Sequence, residues 1–230
     1  MSSVLKAIQL YTWQTPNGYK ISTFLEALSL KYDVHKIDIN SGIQKQDPFI
    51  TLNPNGRIPT IVDPNTNITI SQTGAILQYL AETYDKERKF SYEQGTPEYW
   101  KQIEYLTFQV AENGPIQGQA HHFVMYAPEK IEYGINRYMN DTKRIYGVFE
   151  EILRRNKENG LYLVGNHYSI ADFALVGWAN SLKYLDIDVH DWPLVGKWFD
   201  NFSQEPYVQR GFQVPGRISS NKSLSAIPVI

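Results

Sequence analysis

The segment Asn53–Gly74, NPNGRIPTIVDPNTNITISQTG, decides the fold. Asn53-Pro54-Asn55-Gly56 is turn chemistry, after which Ile61-Val62 forms an apolar run that stops at Asp63-Pro64-Asn65. A second β-favouring run, Ile68-Thr69-Ile70, follows at hairpin distance. Proline cannot donate to a strand ladder, so Pro59 must stand at the start of the first strand. An X-Pro bond at such a bend is a candidate cis peptide, and it would turn the Ile58 N–H and C=O outward, toward an extended peptide. Ser71-Gln72-Thr73-Gly74 then opens the helical run Ala75–Leu80. That places an amide and a hydroxyl at a helix N-terminus, where free N–H groups and the dipole favour a carboxylate. Two readings stand at this point: a plain hairpin with a capped helix, or a backbone edge beside a carboxylate cradle.

Working toward the N-terminus, Ala7-Ile8-Gln9-Leu10-Tyr11 reads as a strand, and Ile21, Phe24, Leu25 and Leu28 as the apolar stripe of a helix. Thr15 is a candidate N-cap with Pro16 at the first helical position, although Thr15-Pro16-Asn17-Gly18 serves equally as a turn. Val34, Ile37 and Ile39 mark a second strand, followed by an irregular region from Ser41 to Leu52. Strand–helix–strand requires a right-handed crossover and a parallel pair, to which the hairpin adds antiparallel strands. The expectation is a thioredoxin-like α/β domain over residues 1–86.

Toward the C-terminus, the charge run Asp85–Lys89 and Gly95-Thr96-Pro97 predict a linker over 87–97. An all-helical domain follows over 98–210. Its longest helix is expected from about Pro128 to Arg155, and Ser169-Ile170-Ala171-Asp172 has the form of a capping box, stapled by Tyr168 and Phe173. Pro193 and Trp198 belong to a further helix, and Pro206 begins a short element. Residues 211–230 read as a tail on the surface.

Composition removes several function classes. With 22 Lys+Arg against 24 Asp+Glu the net charge is −2, so there is no basic field for nucleic acid. The absence of cysteine excludes a Cys-x-x-Cys redox site, a disulfide scaffold and a cysteine nucleophile together. Any thiol chemistry must use a thiol brought by the ligand. No run approaches the roughly 18 apolar residues of a membrane span, and Lys6 and Gln9 interrupt any signal-peptide core, so a cytoplasmic protein is expected. His121-His122 is a weak metal candidate, since neighbouring residues face different sides of a helix. Gly114 and Gly118 enclose Pro115 and Gln117, which is not a membrane dimer motif, and Asp172 reads as a cap rather than a catalytic acid.

Ile58-Pro59 at a strand start, followed by Gln72-Thr73 and Ala75-Ile76, resembles the glutathione-binding half of the glutathione transferases. Thr15-Pro16-Asn17-Gly18-Tyr19-Lys20, the block Gly114-Pro115-Ile116-Gln117-Gly118-Gln119-Ala120-His121-His122-Phe123, and Arg137-Tyr138 narrow the resemblance. They are similar to the Nu-class enzymes, which reduce disulfides with glutathione, and to the functional domain of the yeast nitrogen-regulating prion proteins. The resemblance implies a glutathione transferase fold, glutathione as substrate, no metal and a homodimer. It implies that Thr15 and Asn17 contact the glutathione sulfur, Gln44 meets the glycine end and Ile58, beside Pro59, pairs with the cysteinyl backbone. Gln72 and Thr73 would hold the γ-glutamyl carboxylate, and Arg137 would reach the cleft from the helical domain. The narrower group usually has Glu-Ser where this chain has Gln72-Thr73, which removes an anionic partner for the ligand's ammonium.

The activity so implied is thiol–disulfide exchange, with one glutathione attacking a disulfide and a second resolving the mixed disulfide. Conjugation of glutathione to electrophiles, hydroperoxide reduction, and partner binding without catalysis are the competing expectations.

Overall fold

Strand β1 (Ile8–Thr12) turns Ile8, Leu10 and Thr12 inward, the alternation that its sequence dictates. The computed structural model describes residues 5–216. Helix α1 (Pro16–Ala27) follows β1, its first turn closed by Thr15, whose hydroxyl oxygen accepts the Gly18 N–H at 3.0 Å. Strand β2 (Tyr32–Lys36) returns parallel to β1. It ends earlier than the sequence suggests: Ile37 and Ile39 lie beyond it and form a small separate core with Phe49 and Ile58. The region 41–52 contains a single 3₁₀ turn, Ile43–Lys45, and a short helix α2 (Phe49–Leu52).

Strand β3 (Thr60–Asp63) runs antiparallel to β1, and β4 (Ile68–Ser71) antiparallel to β3, giving the order β2-β1-β3-β4. The fold is thioredoxin-like, as the sequence indicated. Pro59 precedes β3 and its bond to Ile58 is cis. Fully buried Asp63 accepts the hydroxyl of Tyr79 at 2.6 Å and that of Tyr84, which ties the hairpin to helix α3 (Thr73–Tyr84).

The remaining described residues are mostly helical. Helix α4 (Pro97–Phe108), a π-helical turn at Gln109–Asn113, helix α5 (Gly114–His121) and a second π-helical turn at His122–Tyr126 follow without interruption. Pro115 explains the first irregularity: it lacks an N–H and crowds the preceding turn, and a π turn re-registers the bonding around it. Helix α6 (Glu132–Asn156) starts four residues later than Pro128, because Ile131 is extended and serves as the N-cap. Helix α7 (Ile170–Ser181) is apolar on all sides, with every residue but Asn180 buried, so it occupies the centre of the core. Its capping box is present, and Asp172 also accepts Leu163 N–H at 3.1 Å and Trp198 Nε1–H at 2.9 Å. Tyr168 and Phe173 close the staple through Phe202, with ring centroids 4.1 and 5.1 Å from it.

Helices α8 (Pro193–Ser203) and α9 (Pro206–Gly211) are the last among the described residues, and α9 packs back on α1. Gly211, the first residue of the expected surface tail, is buried, and its carbonyl accepts the Ser22 hydroxyl at 2.8 Å. The rest of that tail from 217 on lies outside the described residues. No helix among the described residues is long and apolar enough to cross a membrane.

Candidate functional site

The start of α1, the turn at 53–59 and the start of α3 form one wall of a cleft of about 320 Å³. Val110, Pro115 and Gly118 of the α4–α5 stretch, with Trp178 of α7, form the opposite wall. The close approach of the two walls depends on Gly177: a Cβ there would lie 2.5 Å from the Pro16 carbonyl oxygen.

Asn17 lines the cleft at the first turn of α1. Its Oδ1 accepts the indole Nε1–H of Trp178 at 3.1 Å. An indole N–H is donor only, so the bond fixes which way the amide points and leaves Nδ2, with its two N–H groups, as the free end. Within the same turn Pro16 has no N–H, Gly18 donates to Thr15 Oγ1 and Tyr19 to the Thr15 carbonyl. The Asn17 backbone N–H is left without a partner among the described residues. A helix N-terminus with free donors of this kind stabilises an anion such as a thiolate.

On the same wall, Ile58 and Pro59 line the cleft, and Ile58 N–H and C=O make no hydrogen bond with another described residue. Asn53 shapes this edge. Its Nδ2 donates to the Arg57 carbonyl at 2.7 Å and to Thr60 Oγ1 at 3.3 Å, while its Oδ1 accepts Asn55 N–H at 3.1 Å. Gly56 has φ +60°, and a Cβ there would meet the Gln44 carbonyl oxygen at 2.7 Å, so the turn requires glycine. Gln72 is exposed at φ 71°, a conformation that non-glycine residues adopt rarely and mostly where function demands it. It points the chain into α3 and leaves Thr73 at the helix start, both on the cleft.

Behind Thr73 is a group to which the sequence reading gave no role. Lys20 lines the cleft yet is 1% exposed, and its Nζ donates to Thr73 Oγ1 at 3.3 Å and Gln109 Oε1 at 2.6 Å. Burial pulls its pKa down to about 7. Gln109 donates in turn to Asn113 at 3.0 Å, and Asn113 to Gln117 at 3.3 Å. Gln117 then donates to the Trp178 carbonyl at 2.9 Å and Ser181 Oγ at 3.1 Å. The three amides stand four residues apart on one helix face. Their oxygens all point back toward Lys20, so the row of dipoles presents its negative end to the amine.

The residues singled out from sequence therefore fall into two groups. Asn17, Ile58, Pro59, Gln72 and Thr73 are brought together on the cleft, while Thr15 caps the same turn as Asn17 without being part of the lining. Gln44 is buried outside the lining, with Nε2 donating to the Ile39 carbonyl at 3.2 Å and Oε1 unpartnered. Arg137 is exposed on α6 and is not part of the lining either. Lys20, Asn53, Asn55, Arg57, Val110 and Trp178 are lining residues to which the sequence assigned no role. Only Lys20 carried a signal, as the last residue of the Thr15–Lys20 motif. Both ring nitrogens of His121 face backbone carbonyls, of Gln117 at 2.8 Å and Ser181 at 3.2 Å, and no cluster of potential metal ligands occurs among the described residues.

A thioredoxin-like sheet joined to a helical part, with an anion-favouring helix start and a free peptide edge side by side on one wall of a cleft, is the architecture of a glutathione transferase. The chain matches the family model of the glutathione S-transferase N-terminal domain over residues 6–82 and that of the C-terminal domain over 117–206. It is 42% identical to glutathione S-transferase 2 of Schizosaccharomyces pombe, over 94% of this chain and 89% of that one. It is 38% identical to the disulfide-bond oxidoreductase YfcG of Escherichia coli, over 86% of this chain and 91% of that one. Among solved structures, a glutathione transferase homologue from Lodderomyces elongisporus, crystallised with two glutathiones per subunit, superposes with a TM-score of 0.90. The two are 64% identical, over 92% of this chain and 100% of that one. The chain belongs to the glutathione S-transferase family.

Proposed function

We propose that the protein is a glutathione-dependent thiol–disulfide oxidoreductase, and that its cleft holds glutathione along the Ile58 edge with the sulfur at the start of α1. The observation that carries this reading is the Asn17 amide, whose Nδ2 is left as a free donor on the cleft by the Trp178 indole. The free N–H of Asn17 and the Thr15 hydroxyl, whose oxygen already accepts from Gly18 and whose proton remains to be donated, complete the set. Free glutathione has a thiol pKa near that of cysteine, about 8.5, so a site that stabilises the anion raises the reactive fraction at neutral pH.

The thiolate attacks one sulfur of a small disulfide. A mixed disulfide with glutathione forms as the second sulfur leaves as a thiolate. A second glutathione thiolate then attacks the glutathionyl sulfur, which releases oxidised glutathione and the reduced substrate. A chain without cysteine has no resolving thiol of its own, and the Lodderomyces relative with two glutathiones per subunit supports room for both. In this reading Ile58 pairs with the cysteinyl backbone, Gln72 and Thr73 hold the γ-glutamyl carboxylate, Gln44 meets the glycine end and Arg137 neutralises a carboxylate. The working unit is a cytoplasmic homodimer with a glutathione-binding domain over 1–86, a linker over 87–97 and a helical domain over 98–210.

The second reading, conjugation of glutathione to electrophiles, is favoured by the Schizosaccharomyces pombe relative, which is named a glutathione S-transferase. Hydroxyethyl disulfide, chlorodinitrobenzene and cumene hydroperoxide assayed side by side under saturating glutathione decide between them. Disulfide turnover is expected to dominate, and its absence would overturn the reading.

A further inference from the structure

A lysine amine sealed inside a protein normally has a carboxylate beside it, because an unpaired buried charge is costly. Lys20 has none. Its two partners, Thr73 Oγ1 and Gln109 Oε1, are neutral. The carboxylates on α1, α3, the π-helical turn and α7 are engaged elsewhere. On α1 itself, Glu26 binds Arg210 of α9 and Tyr32. On α3, Glu82 pairs with Arg88, and Tyr79 and Tyr84 bind Asp63. Glu112 of the π turn pairs with Arg144, and Asp172 of α7 is held by its capping box and Trp198. The remaining charge on the cleft lining, Arg57, is another cation. The amine is nevertheless on the cleft, beneath the residue that opens α3.

A positive group set behind a helix start, with a row of amide oxygens aimed at it and no protein anion, is arranged for an anion that arrives from outside. We propose that Lys20 is the counter-ion for a carboxylate of the bound tripeptide, so that filling the cleft draws a proton from solvent onto its amine. The inference rests on the reading of the cleft as a glutathione site. In the empty cleft the amine, its pKa held down by burial, is largely neutral at pH 8; with a carboxylate against it the charged form is favoured and a proton is taken up. Nζ donating to Thr73 Oγ1 also leaves the threonine hydroxyl proton to point outward, so Lys20 acts both directly and as a positioning residue.

The test is isothermal titration of the full chain with S-methylglutathione, in which the sulfur has no proton to lose, in buffers of different ionisation enthalpy. Binding is expected to take up about 0.9 proton at pH 8 and about 0.1 at pH 6, and affinity is expected to fall about tenfold over that interval. Lys20→Gln keeps a donor toward Gln109 and cannot titrate in this range; it is expected to bind without proton uptake and without the pH dependence. Should that variant fail to fold, the wild-type proton counts at the two pH values decide alone. Tight binding with no proton exchange at pH 8, or uptake that persists in Lys20→Gln, overturns the role of Lys20 and leaves the glutathione reading intact. No heat at millimolar ligand overturns both.

Discussion

Trp178 Nε1 lies 3.1 Å from Asn17 Oδ1, a bond between the central helix of one half of the molecule and the first helix of the other. Residues 161 positions apart in the chain thereby fix one amide rotamer at the mouth of the cleft. Asn17 without this bond could present either its oxygen or its nitrogen to a sulfur; with it, only the nitrogen is free.

Replacing Trp178 by Phe keeps an aromatic ring and removes the donor. The amide is then free to flip, and kcat/KM for disulfide reduction is expected to fall about five- to tenfold, the value of one hydrogen bond of about 1 kcal/mol, with KM for glutathione nearly unchanged. Asn17→Asp keeps an acceptor for the indole but faces the sulfur with a negative charge. The pH–rate profile should move up by about one to two units, while Asn17→Ala lowers the rate without that displacement. Identical pH profiles for Asn17→Asp and Asn17→Ala would rule out a thiolate beside this residue.

The sequence made the local half of the site legible because local chemistry determines it. Thr15 and Pro16 specify a helix start, Pro59 a strand start, and Ser169 with Asp172 a capping box, each within a few residues. What escaped depends on distance in sequence. Nothing near Trp178 indicates that its indole N–H reaches α1, and nothing near Lys20 shows that a row of three amides from the α4–α5 stretch ends on it. The amide spacing of Gln109, Asn113 and Gln117 was visible, but without the fold it could as well have been a solvated helix face. The early end of β2 has a similar cause: Ile37 and Ile39 are apolar to serve a small core with Phe49 and Ile58 rather than to extend a strand.

Gly177 sets the distance between α7 and the first turn of α1. Adding one methyl in Gly177→Ala would bring a Cβ to 2.5 Å from Pro16 O, a backbone atom that cannot swing aside. The variant is expected to lose about 1–3 kcal/mol of stability, or about 3–10 °C in Tm. Because the displaced turn carries Asn17, activity at 25 °C should drop as well. A calorimetric Tm equal to that of the parent would show that the two helices do not pack this closely.

Gln72 stands at φ 71°, and glutamate has the same unbranched Cβ and the same length, so Gln72→Glu alters charge while keeping the steric demands on the backbone. A carboxylate opposite the ligand's ammonium on an exposed site is worth up to about 1 kcal/mol. Glutathione should bind about two- to fivefold more tightly at low salt, with the gain shrinking as salt rises. An analogue lacking the α-amino group should show no gain. Equal improvement for both ligands would place the ammonium elsewhere.

Lys20 also leaves a mark on the unliganded protein. Its folded pKa is depressed to about 7 by burial, against an ordinary lysine value of 10.5, so between these values the unfolded chain binds a proton that the folded chain does not. Stability therefore rises with pH across that window and is flat below it, where both states are charged. From pH 7 to 9 the gain amounts to about 2 kcal/mol at most, since one pKa unit corresponds to about 1.4 kcal/mol. Other groups titrate too, so the comparison is with Lys20→Met, which fills the space and carries no charge. Urea denaturation of both proteins at pH 7, 8 and 9 should show Lys20→Met more stable at pH 7, with its advantage shrinking as pH rises. A constant difference between the two would mean that the amine stays charged in the folded state throughout, compensated by the amide row alone.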